Sequence, residues 1–222
     1  MTKQRHNFFY RNGLCIVFLI LMLFSLCGQI YTGWLEHNDF LEEYKQPDQT
    51  LSRYLLSGHF LQATFENWES EFLQMAWFVI LTIFLRQQGS AESRKCEEEA
   101  IDQSELIPKK NSPWSVKKGG FYLLFYKNSL TIVLLFLFLV SFTLHWYGSW
   151  ADFNERQWLA QKPQQGFCEF IFNKKLWFES FQNWQSEFLS IFAIIFLSIY
   201  LRQIGSSQSK KVNDPHDKTG GD

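Results

Sequence analysis

Apolar residues gather in four blocks along the chain, separated by polar stretches. Leu14–Ile30 (LCIVFLILMLFSLCGQI) has no formal charge, and Leu130–Tyr147 (LTIVLLFLFLVSFTLHWY) carries only His145 as an ionisable group. Two shorter runs, Phe72–Leu85 and Phe188–Leu201, follow them. A membrane-crossing helix needs roughly 17–25 mostly apolar residues. The first and third blocks reach that length; the second and fourth reach it only when their polar flanks are drawn in. Trp34, Trp68, Trp77, Trp146, Trp150 and Trp184 stand near block ends, where an amphipathic ring is favoured at headgroup level. A buried soluble helix explains one such block, not four. The pattern predicts an all-α polytopic membrane protein with four transmembrane helices, at about 10–31, 66–86, 126–147 and 182–202.

Lys3, Arg5 and Arg11 precede the first block, as in a cleaved leader. The third block copies the first, however, and a leader has no reason to recur in mid-chain. Asn183 lies 116 residues after Asn67, and that one offset serves the whole unit. It pairs Asn12 with Asn128, Trp34 with Trp150, Pro47 with Pro163, NWESEFL (67–73) with NWQSEFL (183–189), and LRQQGSAESRK (85–95) with LRQIGSSQSKK (201–211). Such self-similarity marks a duplicated structural unit. The expected organisation is two tandem helical hairpins, 1–95 and 120–206, joined by a flexible linker at 96–119 and followed by a disordered tail at 207–222.

Within each hairpin, HNDFLEEYKQP and FNERQWLAQKP predict a helix that runs past the membrane and stops before Pro47 or Pro163. The aromatic stretches Tyr54–Phe65 and Phe170–Phe181 are expected on the membrane surface. LRQ followed by Gly-Ser at 85–90 and 201–206 reads as a helix end, with Arg at the interface and Gly as the cap. Lys and Arg crowd the head, the middle segment and the tail, while the loop from Tyr31 to Glu71 holds only Lys45 and Arg53. By the positive-inside rule both termini and the linker are expected to be cytoplasmic. The two hairpins then share one orientation, a parallel repeat about an axis along the membrane normal.

Composition narrows the function classes. The chain has 222 residues, 18% of them aromatic, with 24 Phe and 9 Trp, more than one modest soluble core uses. A formal net charge of −1 removes the expectation of a nucleic-acid partner. Four Cys without a C-x-x-C argue against a disulfide scaffold or a zinc site. No nucleophile–base pattern, H-E-x-x-H or Walker sequence is present, so neither an enzyme nor a cofactor or metal is expected.

Extending the short second span outward brings Asn67, Ser70, Glu71 and Gln74 onto one helix face, at i, i+3, i+4 and i+7. Their duplicates are Asn183, Ser186, Glu187 and Ser190. The neighbouring acids are not duplicated: Glu66 corresponds to Gln182, and Glu69 to Gln185. These eight residues are the candidate polar intramembrane site. In one reading Glu71 and Glu187 meet across a pseudo-twofold bundle and share a proton or hold a cation. In the other, each Glu favours the start of its helix, and Asn67 and Ser70 cap or cross-link helices. His145 aligns with Gln29, so its imidazole is unrepeated, and His59 is similarly solitary. Both are read as satisfied interfacial histidines rather than ligands.

SGHFLQATFENWESEFLQM, then a span, then LRQQGSAESRK (57–95) resembles a family of uncharacterised bacterial integral membrane proteins known only as a domain of unknown function. The resemblance covers both halves and is weaker in the second, where NKKL replaces SGHF. It implies a small multi-pass protein of the bacterial inner membrane and supplies no activity, substrate or site residue. The expected role is structural, interaction or membrane-stress related, without catalysis. The alternative is a small transporter or ion-conducting protein using Glu71 and Glu187. The expected partners are the lipid bilayer and either a second copy or another membrane protein.

Overall fold

A computed structural model describes residues 7–98 and 106–220. Among the described residues the chain is helical and has no strand. The elements are α1 (Phe8–Glu43), α2 (Leu51–Tyr54), α3 (Gly58–Phe84), α4 (Trp114–Lys118), α5 (Gly120–Lys127), α6 (Ser129–Leu159), α7 (Phe167–Phe170) and α8 (Lys174–Tyr200). Among the described residues, helices α1 and α6 are the two that are long and apolar enough to cross a membrane. Helices α3 and α8 have 27 residues each, or about 40 Å of helix, but their N-terminal halves are polar.

Local chemistry sets the helix ends. The Asn7 side chain accepts from the Tyr10 N–H at 2.8 Å, and the Asn173 side chain accepts from the Lys175 N–H at 2.8 Å, each capping orphan donors of a first turn. At the far ends, α1 stops at Glu43 and α6 at Leu159, well past their apolar blocks and before Pro47 and Pro163. Two residues beyond each stop the backbone turns left-handed, at Lys45 (φ 56°) and Gln161 (φ 55°).

The chain divides into two compact units, Met1–Ala63 with Tyr147–Phe167, and Thr64–Trp146 with Cys168–Asp222. In the first, α3 and α6 touch through backbone. A Cβ on Gly148 would collide with the Gln62 backbone N and lie 2.8 Å from the Leu61 carbonyl carbon, and one on Gly58 would collide with the Asp152 backbone N. Two loops in this unit are closed in the same way at the 116-residue offset. Trp34 Nε1 donates to the Gln49 carbonyl at 2.6 Å, and Trp150 Nε1 to the Gln165 carbonyl at 2.8 Å. The Asn38 and Asn154 side chains each accept from the backbone N–H of the same glutamine at 2.9 Å.

In the second unit the segments after α3 and α8 are built alike. Arg86 Nη1 donates to the carbonyls of Thr82, Ile83 and Leu85, and Arg202 Nη1 to those of Ser198, Ile199 and Leu201. The guanidinium therefore caps the last carbonyls of its helix. Gly89 (φ 84°) and Gly205 (φ 83°) serve a turn further on, not the helix terminus that the sequence pattern suggests. The two segments also meet. Gly89 N–H donates to Thr219 Oγ1 at 2.9 Å, Gly220 N–H to the Ser90 carbonyl at 2.9 Å, and Ala91 N–H to Ser198 Oγ at 3.2 Å.

These contacts correct two expectations. The segment after Ser206 is ordered rather than a loose tail: Lys210 is buried, its Nζ donating to the carbonyls of Pro215, His216 and Lys218 at 3.3, 2.9 and 2.9 Å. The expected linker contains α4, and its stretch 99–105 lies outside the described residues. Tyr54–Phe65 runs from the last residue of α2 through a turn into the start of α3, and Phe170–Phe181 likewise from α7 into α8.

Burial is inverted relative to a water-soluble protein. Among the described residues the buried set is mostly polar, including Thr64, Glu69, Ser70, Gln74, Ser141, His145 and Ser180, whereas many Phe, Leu and Ile side chains along α1, α6 and α8 are exposed. None of the most apolar stretch of α1 is buried.

Candidate functional site

A polar cluster in the second unit centres on His145 of α6, which is wholly buried. Its Nδ1 is 3.0 Å from Glu69 Oε2, and its Nε2 is 3.2 Å from Glu179 Oε2 and 3.9 Å from Glu66 Oε2. Glu66 and Glu69 stand one turn apart on α3, the i, i+3 spacing that puts both on one face. Glu179 comes from α8. Glu69 is 0% exposed and fully engaged, its second oxygen accepting from Ser180 Oγ at 2.8 Å and from Trp184 Nε1 at 3.2 Å. Lys175 Nζ holds the other oxygen of Glu179 at 2.7 Å. With carboxylate oxygens against both ring nitrogens, the imidazole satisfies its neighbours fully only when it donates on both sides, which is the imidazolium form. Glu66, His145 and Glu179 offer one ligand atom each within 4.8 Å of one another.

The expectation of a solitary interfacial His145 is therefore wrong, because the carboxylates that meet it come from other helices. Sequence reasoning set Glu66 and Glu69 aside because their duplicates are neutral. The usable signal was joint: at the 116-residue offset His145, Glu66, Glu69 and Glu179 face Gln29, Gln182, Gln185 and Ala63, so four ionisable positions depart from the duplication together.

The eight residues of the polar stripe are placed as follows. Glu71 is exposed and Glu187 partly buried, and the two carboxylates lie near enough for their charges to interact. Ser70 and Gln74 are buried beside them on α3. Asn67 is exposed, and its carbonyl accepts from Ser70 Oγ at 2.8 Å. The second copy repeats that bond, Ser186 Oγ to the Asn183 carbonyl at 2.8 Å, but Ser186 and Ser190 are exposed. Ser190 Oγ bonds its own helix at the Glu187 carbonyl, 2.8 Å away. The stripe thus contributes two neighbouring carboxylates, and its hydroxyls bond back onto their own helices. A groove of about 280 Å³ begins at Gln74 and runs between α3 and α8 past Trp77, Phe78 and Ile191 to Arg86 and Glu92.

A third group lies in the first unit. His37 is buried, stacks on His59 at 5.3 Å between ring centroids, and has no hydrogen-bond partner on either ring nitrogen; Glu155 Oε2 lies 3.8 Å from its Nε2. Burial pushes its affinity for a proton down, as do the charges of His59 and Arg156, against Asp152 and Glu36. Burial also pushes Glu155 up, helped by Asp152. His59 is not solitary either: Tyr54 Oη is 3.2 Å from its Nδ1 and Glu36 Oε2 is 3.2 Å from its Nε2. Tyr54, raised to about 12 chiefly by burial, seats its hydroxyl against Gly33, where a Cβ would collide with it.

No curated protein and no solved structure matches the chain. A family profile described as a domain of unknown function (DUF6766) matches residues 5–221, nearly the whole length, and the chain belongs to that family.

Proposed function

We propose that the chain is a four-span integral membrane protein of two tandem parallel hairpins that takes up a proton or cation at the Glu71–Glu187 pair. Inverted burial supports the membrane assignment: polar groups inside and bare Phe, Leu and Ile outside suit lipid as the surrounding solvent. Contacts that recur at the 116-residue offset, from the Trp34 and Trp150 loop closures to the Arg86 and Arg202 caps, support the tandem repeat. The Lys and Arg distribution favours cytoplasmic termini, and the family resemblance favours a bacterial inner membrane.

The observation that carries the functional reading is the nearness of two carboxylates from α3 and α8, Glu71 and Glu187, whose charges interact. Two like charges held near each other disfavour double ionisation, so the pair favours taking up a proton or a cation. Exchange of that proton or cation with either side of the membrane is a transport step. Reconstituted into liposomes, the protein should carry a proton or monovalent-cation flux that is lost in Glu71→Gln/Glu187→Gln while the helical circular-dichroism signal persists. Unchanged flux in the double variant refutes the reading.

A second reading, a structural or interaction protein of the membrane, is favoured by α1, whose apolar stretch is bare along its length and open to lipid, a second copy or another membrane protein. A preparation that is homo-oligomeric in detergent and carries no flux would support it.

A further inference from the structure

We infer that Glu66, His145 and Glu179 form a binding site for one divalent first-row transition-metal ion. The inference concerns a different cluster from the Glu71–Glu187 pair and does not rest on transport or topology.

Three observations point the same way. The first is ligand geometry. His145 Nε2 lies 3.2 Å from Glu179 Oε2 and 3.9 Å from Glu66 Oε2. Ligand atoms of a four-coordinate ion with bonds of about 2.0–2.2 Å sit roughly 3.3–3.6 Å apart, so rotamer adjustments of the two glutamates suffice to close the site. The second is support for the imidazole. A metal-ligating His characteristically gives its other ring N–H to a carboxylate that is itself hydrogen-bonded. Here Glu69 takes Nδ1 at 3.0 Å and is locked by Ser180 and Trp184. Nothing in a solvent-facing ion pair requires that second layer.

The third observation is charge. The cluster holds three carboxylates, one imidazole and the Lys175 ammonium, with Glu69 and His145 fully buried. With the imidazole protonated, one negative charge is left over in a low-dielectric setting, an expensive arrangement. A divalent ion that displaces the Nε2 proton to solvent brings the set to neutrality. His145 and Glu69 are sealed, whereas the Glu66 and Glu179 side chains are 21% and 12% exposed, which leaves one open side for ion entry and a water ligand. A nitrogen ligand beside two carboxylates suits zinc, cobalt or manganese better than calcium or magnesium, which prefer all-oxygen shells.

The test uses the full chain in detergent micelles, stripped with a chelator and dialysed, then titrated separately with Co²⁺ and Zn²⁺. Expected are one ion per chain, a visible Co²⁺ absorption band, proton release on binding, and displacement of Co²⁺ by Zn²⁺. Glu66→Gln and His145→Asn should each weaken binding at least tenfold. Glu69→Gln, a positioning change, should weaken it roughly 10–100-fold. His59→Asn, an imidazole elsewhere, should leave it unchanged. Absence of stoichiometric binding below 1 mM by protein that still melts cooperatively overturns the inference. So does wild-type affinity in Glu66→Gln or His145→Asn. Should His145→Asn fail to fold, Glu66→Gln, at a partly exposed position, decides alone.

Discussion

Replacing Glu69 with alanine removes an acceptor on which two buried donors and one partly buried donor converge: His145 Nδ1 at 3.0 Å, Ser180 Oγ at 2.8 Å and Trp184 Nε1 at 3.2 Å. Removing one partner of a buried ion pair costs about 3–5 kcal/mol, because the remaining charge is left without compensation. Two neutral donors without an acceptor add about 1–3 kcal/mol each where no water reaches them. Solvent entering the new cavity offsets part of this, so a net loss of about 3–5 kcal/mol is the working figure. For a chain of this length 1 kcal/mol moves the melting temperature by roughly 2–4 °C, which sets the expected drop at about 6–20 °C. Glu69→Gln keeps a carbonyl oxygen for Ser180 and Trp184 and loses only the charge and the acceptor facing His145, so its drop should be smaller. Intrinsic fluorescence during thermal unfolding in detergent is a direct assay, because the Trp184 indole is itself bonded to Glu69. An alanine variant that melts with the wild type refutes the reasoning, and so does a glutamine variant that melts below alanine.

Other expectations follow from the packing and the titrating groups. Gly148→Ala should lower the melting temperature, because overpacking against the Leu61–Gln62 backbone costs about 1–3 kcal/mol and outweighs the roughly 1 kcal/mol that alanine contributes to a helix; Gly28→Ala, with nothing within 4 Å of its added Cβ, should be neutral or stabilising. His37 is held below its ordinary 6.5 by burial, so its contribution is full above pH 6.5 and is lost as pH falls through the folded value. Glu155, shifted upward, acts with the opposite sign. The readout is therefore the difference between wild type and His37→Gln across pH 8 to 5: the wild type should lose more stability on acidification, and parallel curves would contradict the assignment.

Much of the fold is legible in local pattern. The ends of α1 and α6 before Pro47 and Pro163 follow from proline stereochemistry, and the bare faces of those helices follow from uninterrupted apolar runs. The equivalence of Glu71 and Glu187 is legible in the duplication, and their carboxylates lie near enough for their charges to interact. The His145 cluster is less accessible, because its members sit 76 and 34 residues from His145 and share no local periodicity. Comparing copies selects for what duplication kept, whereas this cluster is built from what one copy changed. The ordered segment after Ser206 was hidden for a different reason. Its composition is that of a solvated coil, and it is held by backbone carbonyls gathered around Lys210 and Arg202, an arrangement that no hydropathy profile registers.

The link from Gly89 and Ser90 to Thr219 and Gly220 has a practical corollary for handling the protein. Residues 130 apart in the chain act there as a clasp, so trimming the polar end to make a tidier crystallisation target would undo a turn in the other half of the molecule. A purification handle belongs beyond residue 222 with the whole segment retained, and a shortened version that behaves poorly should first be suspected of an opened clasp.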